Sequence, residues 1–146
     1  MSNDDPLPGP PTTGEALLGL AGDRVRYAAG NARFRGRTTV EVRGDRTVEA
    51  AFERGKDIRS WRSTLSPDEF DALRRQLEAS DPRLLRSARE LAEPDESQVH
   101  LTVVGGAGRV ETQAWYGEQW TNPRLRGLIV AFTDLAGSVS RGKIPF

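Results

Sequence analysis

The chain has 146 residues, of which 36% are hydrophobic and 29% are charged, and its 21 basic side chains balance 21 acidic ones. The lack of cysteine excludes disulfides and thiolate metal sites, and the single histidine, His100, leaves few groups for acid–base or nucleophilic chemistry near neutral pH. This composition is typical of one soluble globular domain, and it favours a non-enzymatic binding protein with no metal or other cofactor over an enzyme.

Two features of the sequence bear on its location. No stretch approaches the roughly 18 consecutive apolar residues that cross a bilayer. The start of the chain is acidic and interrupted by proline, whereas a secretion signal is basic and then apolar. We therefore expect a cytoplasmic protein with no membrane contact.

The N-terminal segment differs in composition from the rest of the chain. Residues 1–14 contain four prolines and few apolar side chains, so they cannot bury enough surface to become ordered. We predict a disordered tail over residues 1–14 and a single α+β domain over residues 15–146. Glu15 to Leu20 is expected to form a helical turn at the start of that domain.

Alternating apolar residues predict a series of strands in the first half of the domain. The turn sequence Gly44-Asp45-Arg46 lies between two of them and predicts a hairpin. The fourth strand is predicted to be short. The four predicted strands are Arg24 to Ala28, Arg37 to Arg43, Thr47 to Glu53 and Ile58 to Trp61.

The segment after these strands carries a clear helix start. Ser66 is a typical N-cap residue, Pro67 suits the first helical position, and Glu69 completes a capping box. The helix is predicted to end by Ser80, because Pro82 follows. Residues 83–96 predict a weaker helical or irregular stretch.

The second half of the chain repeats the pattern of a hairpin followed by a helix. Strands are predicted over Gln98 to Val104 and Arg109 to Tyr116, joined by a glycine-rich turn. Asn122-Pro123 then predicts the start of a helix whose apolar residues recur at helical spacing from Leu125 to Val139. Residues 141–146 are expected to form a terminal tail.

This order of elements predicts an α+β fold in which an antiparallel sheet of five or six strands carries two amphipathic helices packed on one face. The opposite face is then polar, charged and open to solvent. The side chains expected there are Arg24, Arg26, Arg37, Thr39, Glu41, Glu49, His100, Thr102, Glu111, Gln113 and Trp115.

The aromatic group Trp115, Tyr116 and Trp120 is the strongest candidate for a contact site. If Tyr116 is buried, strand alternation sends Trp115 to the open face, beside arginines. Exposed tryptophan beside arginine is typical of protein interfaces, although a tryptophan that covers a sheet edge is an equally good interpretation. The candidate partner-binding residues are Trp115, Trp120, Arg24, Arg26, Arg37 and His100.

Two other functions remain open. His100 and Glu111 could converge on the open face, as in a carboxylate-dependent hydrolase or a domain that binds a small ligand. The segment from Arg33 to Arg37 interleaves arginine with phenylalanine and glycine, as RNA-binding segments do. A neutral chain makes nucleic acid the less favoured partner.

The succession of elements also resembles a known family. A hairpin, the helix start from Leu65 to Glu69, a second hairpin from Gln98 and the helix entry at Asn122-Pro123 look like the emfourin family over residues 23–137. Emfourins are small bacterial proteins that inhibit thermolysin-type metalloproteases such as protealysin. The resemblance implies a bacterial, non-catalytic domain that binds a protein, with protease inhibition as its most concrete form. It transfers no inhibitory residue to this chain, and the oligomeric state stays open.

Overall fold

The computed structural model describes residues 22–31, 35–80, 97–105 and 108–144. Several expectations lie outside the described residues: the disordered tail over 1–14, the helical turn from Glu15 to Leu20, and the weaker helical stretch over 83–96. The part of the chain that is described has six strands, two α-helices and a short 3₁₀ helix.

One six-stranded antiparallel sheet forms the body of the described structure. Its spatial order is β4-β3-β2-β1-β5-β6, so the first strand lies in the interior of the sheet, between β2 and β5. The strands are β1 Arg24–Asn31, β2 Gly36–Arg43, β3 Thr47–Arg54, β4 Asp57–Thr64, β5 Gln98–Gly105 and β6 Gly108–Trp115.

The predicted strands are all present, but their ends differ. Strand β1 extends three residues beyond the predicted Ala28, to Asn31, and β2, β3 and β5 are each one residue longer than predicted. Strand β4 is twice as long as the predicted Ile58 to Trp61, because it pairs with β3 along its whole length and its polar ends need no burial. Strand β6 ends at Trp115 and not at Tyr116, since Tyr116 begins the 3₁₀ helix Tyr116–Trp120.

Two helices pack on one face of the sheet. Helix α1 spans Pro67–Ser80, and its capping box is formed as predicted: the Glu69 backbone N–H donates to Ser66 Oγ at 3.1 Å, and the Ser66 N–H donates to Glu69 Oε1 at 2.9 Å. Helix α2 spans Pro123–Val139, crosses β2, β3 and β4, and packs beside α1. Neither of these helices, nor any other helix in the described residues, is long and apolar enough to span a membrane.

The hydrophobic core lies between the sheet and the helices, which confirms the predicted α+β class. Val40 and Val42 of β2 alternate with polar residues and are fully buried, as are Phe132 and Ala136 of α2. Successive side chains of a strand point to opposite faces, so this alternation separates a buried from an open face on β2, β3 and β5, and the register extends these two faces to the strands beside them.

The segment after α2 is not a simple tail. Ile144 is buried in the core, and its N–H donates to Ser140 Oγ at 3.3 Å. The chain turns back through Gly142, whose φ of 77° favours glycine and whose N–H donates to the Gly137 carbonyl at 2.8 Å. The predicted tail over 141–146 is therefore wrong as far as Ile144, because this helix-ending turn returns an apolar side chain to the core.

Candidate binding surface

The surface of interest is the face of the sheet that carries no helix, here called the open face. It consists of the strand side chains that alternate with the buried ones, so Arg26 of β1 belongs to it while its neighbours Val25 and Tyr27 lie in the core. The register aligns open-face residues in rows across all six strands. The row through Arg26 contains Glu111, Thr102, Arg26, Glu41, Glu49 and Arg62.

Three glutamates of the open face are each matched by an arginine of the same face. Glu41 accepts from Arg43 at 3.2 Å, Glu111 lies 3.2 Å from Arg109, and Glu49 lies 3.9 Å from Arg62. These pairs are largely exposed, so they contribute little stability. The two charges of each pair cancel, so the pairs add no net charge to the open face.

Arg24, Arg26 and Arg37 are the remaining arginines of this face, and all three are exposed. None of them forms an ion pair with another residue in the described part of the chain. Arg24 and Arg26 lie on the interior strand β1, and Arg37 lies on its neighbour β2. The open face has a fourth glutamate, Glu53, which lies opposite Arg37 in the register. The six arginines of this face still outnumber its four glutamates, so the face keeps a small excess of positive charge.

His100 lies on the open face of β5, opposite Ala28 of β1 and Gln113 of β6, and is half-buried. Partial burial lowers the pKa of His100 below its usual 6.5, and the nearby Arg37 charge lowers this pKa further, while Glu111 opposes both effects. His100 is thus a neutral imidazole near neutral pH. No group of three or more histidines and carboxylates able to hold a metal occurs among the described residues.

His100 and Glu111 share the open face, as predicted, but they are not directly opposite each other. Glu111 lies one row away from His100, opposite Thr102, and interacts with it through charge. The carboxylate of Glu111 accepts a hydrogen bond from Arg109, which lowers the pKa of Glu111. Glu111 is therefore an ionised, arginine-bound surface group.

Trp115 lies at one corner of the open face, opposite Gln98, and is half-buried. The prediction made this position conditional on burial of Tyr116, but Tyr116 is 42% exposed. The register with Gln98 places Trp115 on the open face whether or not Tyr116 is buried. The backbone N–H of Trp115 donates to Glu118 Oε1 at 2.9 Å, where strand β6 ends and the 3₁₀ helix begins.

Trp120 does not share the open face with Trp115. It ends the 3₁₀ helix and is 69% exposed, and the guanidinium of Arg126 on helix α2 lies 4.6 Å from its ring centroid. Trp120 therefore belongs to the helix layer. The structure brings Arg24, Arg26, Arg37, His100 and Trp115 onto one face and separates Trp120 from them.

Sequence reasoning missed two exposed apolar positions. Ile58 is 64% exposed on the open face of edge strand β4, opposite Glu53, and was expected only as a strand residue. Val130 is 42% exposed on helix α2. The exposure of Val130 could have been predicted from the sequence, because Val130 falls outside the helical stripe of buried apolar residues in α2.

The structure describes only part of the arginine-rich segment proposed for RNA binding. Residues 32–34 are among those not described; Arg35 is exposed in a turn with a φ of 51°, and Arg37 belongs to the sheet. Of the residues of this segment that the structure describes, Arg37 is the one that contributes to the open face.

Comparisons with known proteins find no match to a family model and no match to a curated protein. The resemblance to the emfourin family stays a prediction.

Proposed function

We propose that this protein is a non-enzymatic protein-binding module whose contact surface is the open face around Arg24, Arg26 and Arg37. The observation that carries the proposal is the excess of arginine on this face. Three of its four glutamates are paired with other arginines, and only Glu53, opposite Arg37, remains beside Arg24, Arg26 and Arg37, which are exposed and form no ion pair among the described residues. Guanidinium groups bind carboxylates in a planar, two-point geometry, so the fitting partner presents aspartate or glutamate side chains.

His100 and Trp115 support the proposal as the less polar part of the same face. Both are half-buried and held by strand pairing, so they lose little side-chain freedom when a partner covers them. Tryptophan and arginine are the residues most often found at the energetic centre of protein interfaces. A stable complex would cover about 800 Å² on each side.

The most concrete form of the proposal is inhibition of a thermolysin-type metallopeptidase. The support for it is the resemblance in element order and helix-start motifs described above. In this form the six-stranded sheet covers the protease. The sheet is not cleaved, because its backbone is hydrogen-bonded between neighbouring strands.

The test compares two triple variants of the full chain. Arg24→Glu/Arg26→Glu/Arg37→Glu reverses the three open-face charges, and Arg54→Glu/Arg75→Glu/Arg124→Glu makes the same charge change at other exposed arginines. Thermal melts establish that both fold. Inhibition of thermolysin on a peptide substrate is then measured, and the open-face variant should lose about tenfold or more in apparent affinity, while the control should not.

Binding is tested separately from inhibition, by copurification of tagged protein from the native host. A partner held by wild type and by the control, and lost by the open-face variant and by Trp115→Ala, supports the proposal. A partner retained by the open-face variant contradicts it. Wild-type protein that binds a partner but leaves thermolysin fully active removes only the inhibitor form.

A further inference from the structure

The helix layer contains a surface feature with no part in the proposed function. A groove of about 730 Å³ runs between α1 and α2 on the side away from the sheet. Its apolar lining includes Ala72 of α1 and Val130 and Ala131 of α2. Val130 is 42% exposed at the middle of α2, although the other face of this helix is fully packed in the core.

The charges along the groove are arranged symmetrically about Val130. Arg126 precedes Val130 by four residues and Asp134 follows it by four, and both line the groove. At a rise of 1.5 Å per residue, each lies about 6 Å from Val130 along the helix axis, on the same side of the helix. One end of the groove is therefore basic and the other acidic.

This arrangement is what a two-fold symmetric interface requires. In such an interface one patch meets an identical patch, so the patch must be complementary to itself. When α2 packs antiparallel to a second α2 about Val130, each Arg126 meets the Asp134 of the other copy. Parallel packing would place like charges together, so the charges select the antiparallel arrangement.

The two charged groups are available and partly oriented for such contacts. The Arg126 guanidinium is stacked over Trp120, and its Nη1 lies 3.5 Å from Gln119 Oε1, which restricts its movement. Stacking on a ring face leaves the in-plane N–H groups of a guanidinium free to bind a carboxylate. Asp134 is exposed and forms no ion pair with any residue that the structure describes.

We propose that this groove is the interface of a homodimer in which α2 packs antiparallel to α2 of a second copy, with Val130 at the centre and two Arg126–Asp134 pairs around it. Small Ala131 lets the helices approach, and Trp120, at 69% exposure beside Arg126, becomes part of the interface rim. The proposal does not depend on the proposed function, because the open face lies on the other side of the sheet.

The first test is the mass of the full chain in solution, measured by analytical ultracentrifugation over a range of concentrations. The chain mass is 16.1 kDa, and a monomer–dimer equilibrium of that unit is expected. Asp134→Arg and Arg126→Asp each oppose like charges twice in the dimer, so each should weaken dimerisation about tenfold or more. Val130→Glu should abolish it.

The second test uses the symmetry itself. A mixture of Arg126→Asp and Asp134→Arg proteins restores both attractive pairs in a mixed dimer, and the double variant Arg126→Asp/Asp134→Arg restores them in a homodimer. Both should recover dimerisation that neither single variant shows. Arg124→Asp and Glu78→Arg are the matched controls, since these exposed residues do not line the groove.

Several outcomes would overturn the proposal. A wild-type chain that remains monomeric at the highest concentration would overturn the homodimer, and a partner's helix or another segment of this chain would replace a second copy as the occupant. Dimerisation that Asp134→Arg and Glu78→Arg affect equally would place the interface elsewhere. A mixture of the two single variants that stays monomeric would exclude the antiparallel pairing.

Discussion

Tyr27 of strand β1 and Phe132 of helix α2 stack with their ring centroids 5.0 Å apart and their planes inclined by only 3°. Phe132 is fully buried and Tyr27 nearly so. Because β1 is an interior strand, this contact joins the middle of the sheet to the helix that covers it. Burial raises the pKa of the Tyr27 phenol, against a hydrogen bond with Thr133 that lowers this pKa.

Truncation of Phe132 should therefore be among the most damaging changes in the core. We expect Phe132→Ala to lower the free energy of unfolding by about 3–5 kcal/mol, since it removes the stacked ring and leaves a cavity over β1. Chemical denaturation followed by tryptophan fluorescence measures the loss. Phe132→Leu keeps an apolar side chain at the site and should cost clearly less; equal losses for the two variants would contradict this account.

Gly36 at the start of β2 is predicted to accept a side chain only at a cost in stability. A Cβ built on Gly36 would overlap the ring of Phe52, which covers the glycine from the neighbouring strand. Gly36→Ala should destabilise the fold by about 1–3 kcal/mol, as other overpacking changes do. Gly22→Ala is the control, because nothing lies within 4 Å of that position.

The same overlap predicts coupling between Gly36 and Phe52. When Phe52→Leu removes the ring, Gly36→Ala should cost less than it does in the wild-type background. A double-mutant cycle measured by denaturation gives the difference. Additive costs would show that the ring is not what restricts Gly36.

Asn122 is predicted to stabilise the start of α2. Its Oδ1 accepts from the N–H groups of Arg124 and Leu125, each at 3.2 Å. Asn122→Ala leaves these donors without their cap and should cost about 1 kcal/mol, while Asn122→Asp keeps an acceptor and should cost much less. Thermal melts of the two variants make the comparison, and similar melting temperatures would argue against the cap.

The protonation of His100 should report on the charges of the open face. As the only histidine of the chain, His100 can be titrated by NMR without assignment ambiguity. Arg37→Gln should raise the His100 pKa and Glu111→Gln should lower it, because Arg37 disfavours the imidazolium and Glu111 favours it. Shifts in the same direction for both variants would contradict the described arrangement.

The direction of the His100 pKa shift also predicts a pH dependence of stability. In the unfolded chain His100 takes up a proton near its ordinary pKa of 6.5, whereas in the folded chain the pKa of His100 is lower. Acidification below 6.5 therefore reduces the free energy of unfolding through this group, and above that pH the effect is absent. His100→Gln should flatten this part of the stability profile.

The fold was largely predictable because its information is local. Alternation of Val40 and Val42 identifies both a strand and its buried side, and the Ser66–Glu69 cap locates a helix start to the residue. The order of the strands was not predictable in this way. It depends on pairing between β1 and β5, which are far apart in the sequence and carry no local mark of their contact.

The candidate site was predictable only in part. Strand alternation placed Arg24, Arg26 and His100 on one face correctly, because parity alone decides the side. It could not show that Arg43, Arg62 and Arg109 would be matched by glutamates while Arg26 would not. Trp120 was grouped with Trp115 as a candidate contact residue, but the sequence did not show that the 3₁₀ helix from Tyr116 to Trp120 carries Trp120 to Arg126 on the helix layer.

The interior position of β1 has a consequence for the order in which the chain folds. Strands β1 to β4 pair with their sequence neighbours and can form early, but Arg24 meets Val104 only after β2, β3, β4 and α1 have been synthesised. Helix α2, which covers the apolar side of the sheet, follows all six strands. A nascent chain that ends before Pro123 therefore exposes the apolar side of the sheet. We expect this chain to be prone to aggregation until α2 docks on the sheet.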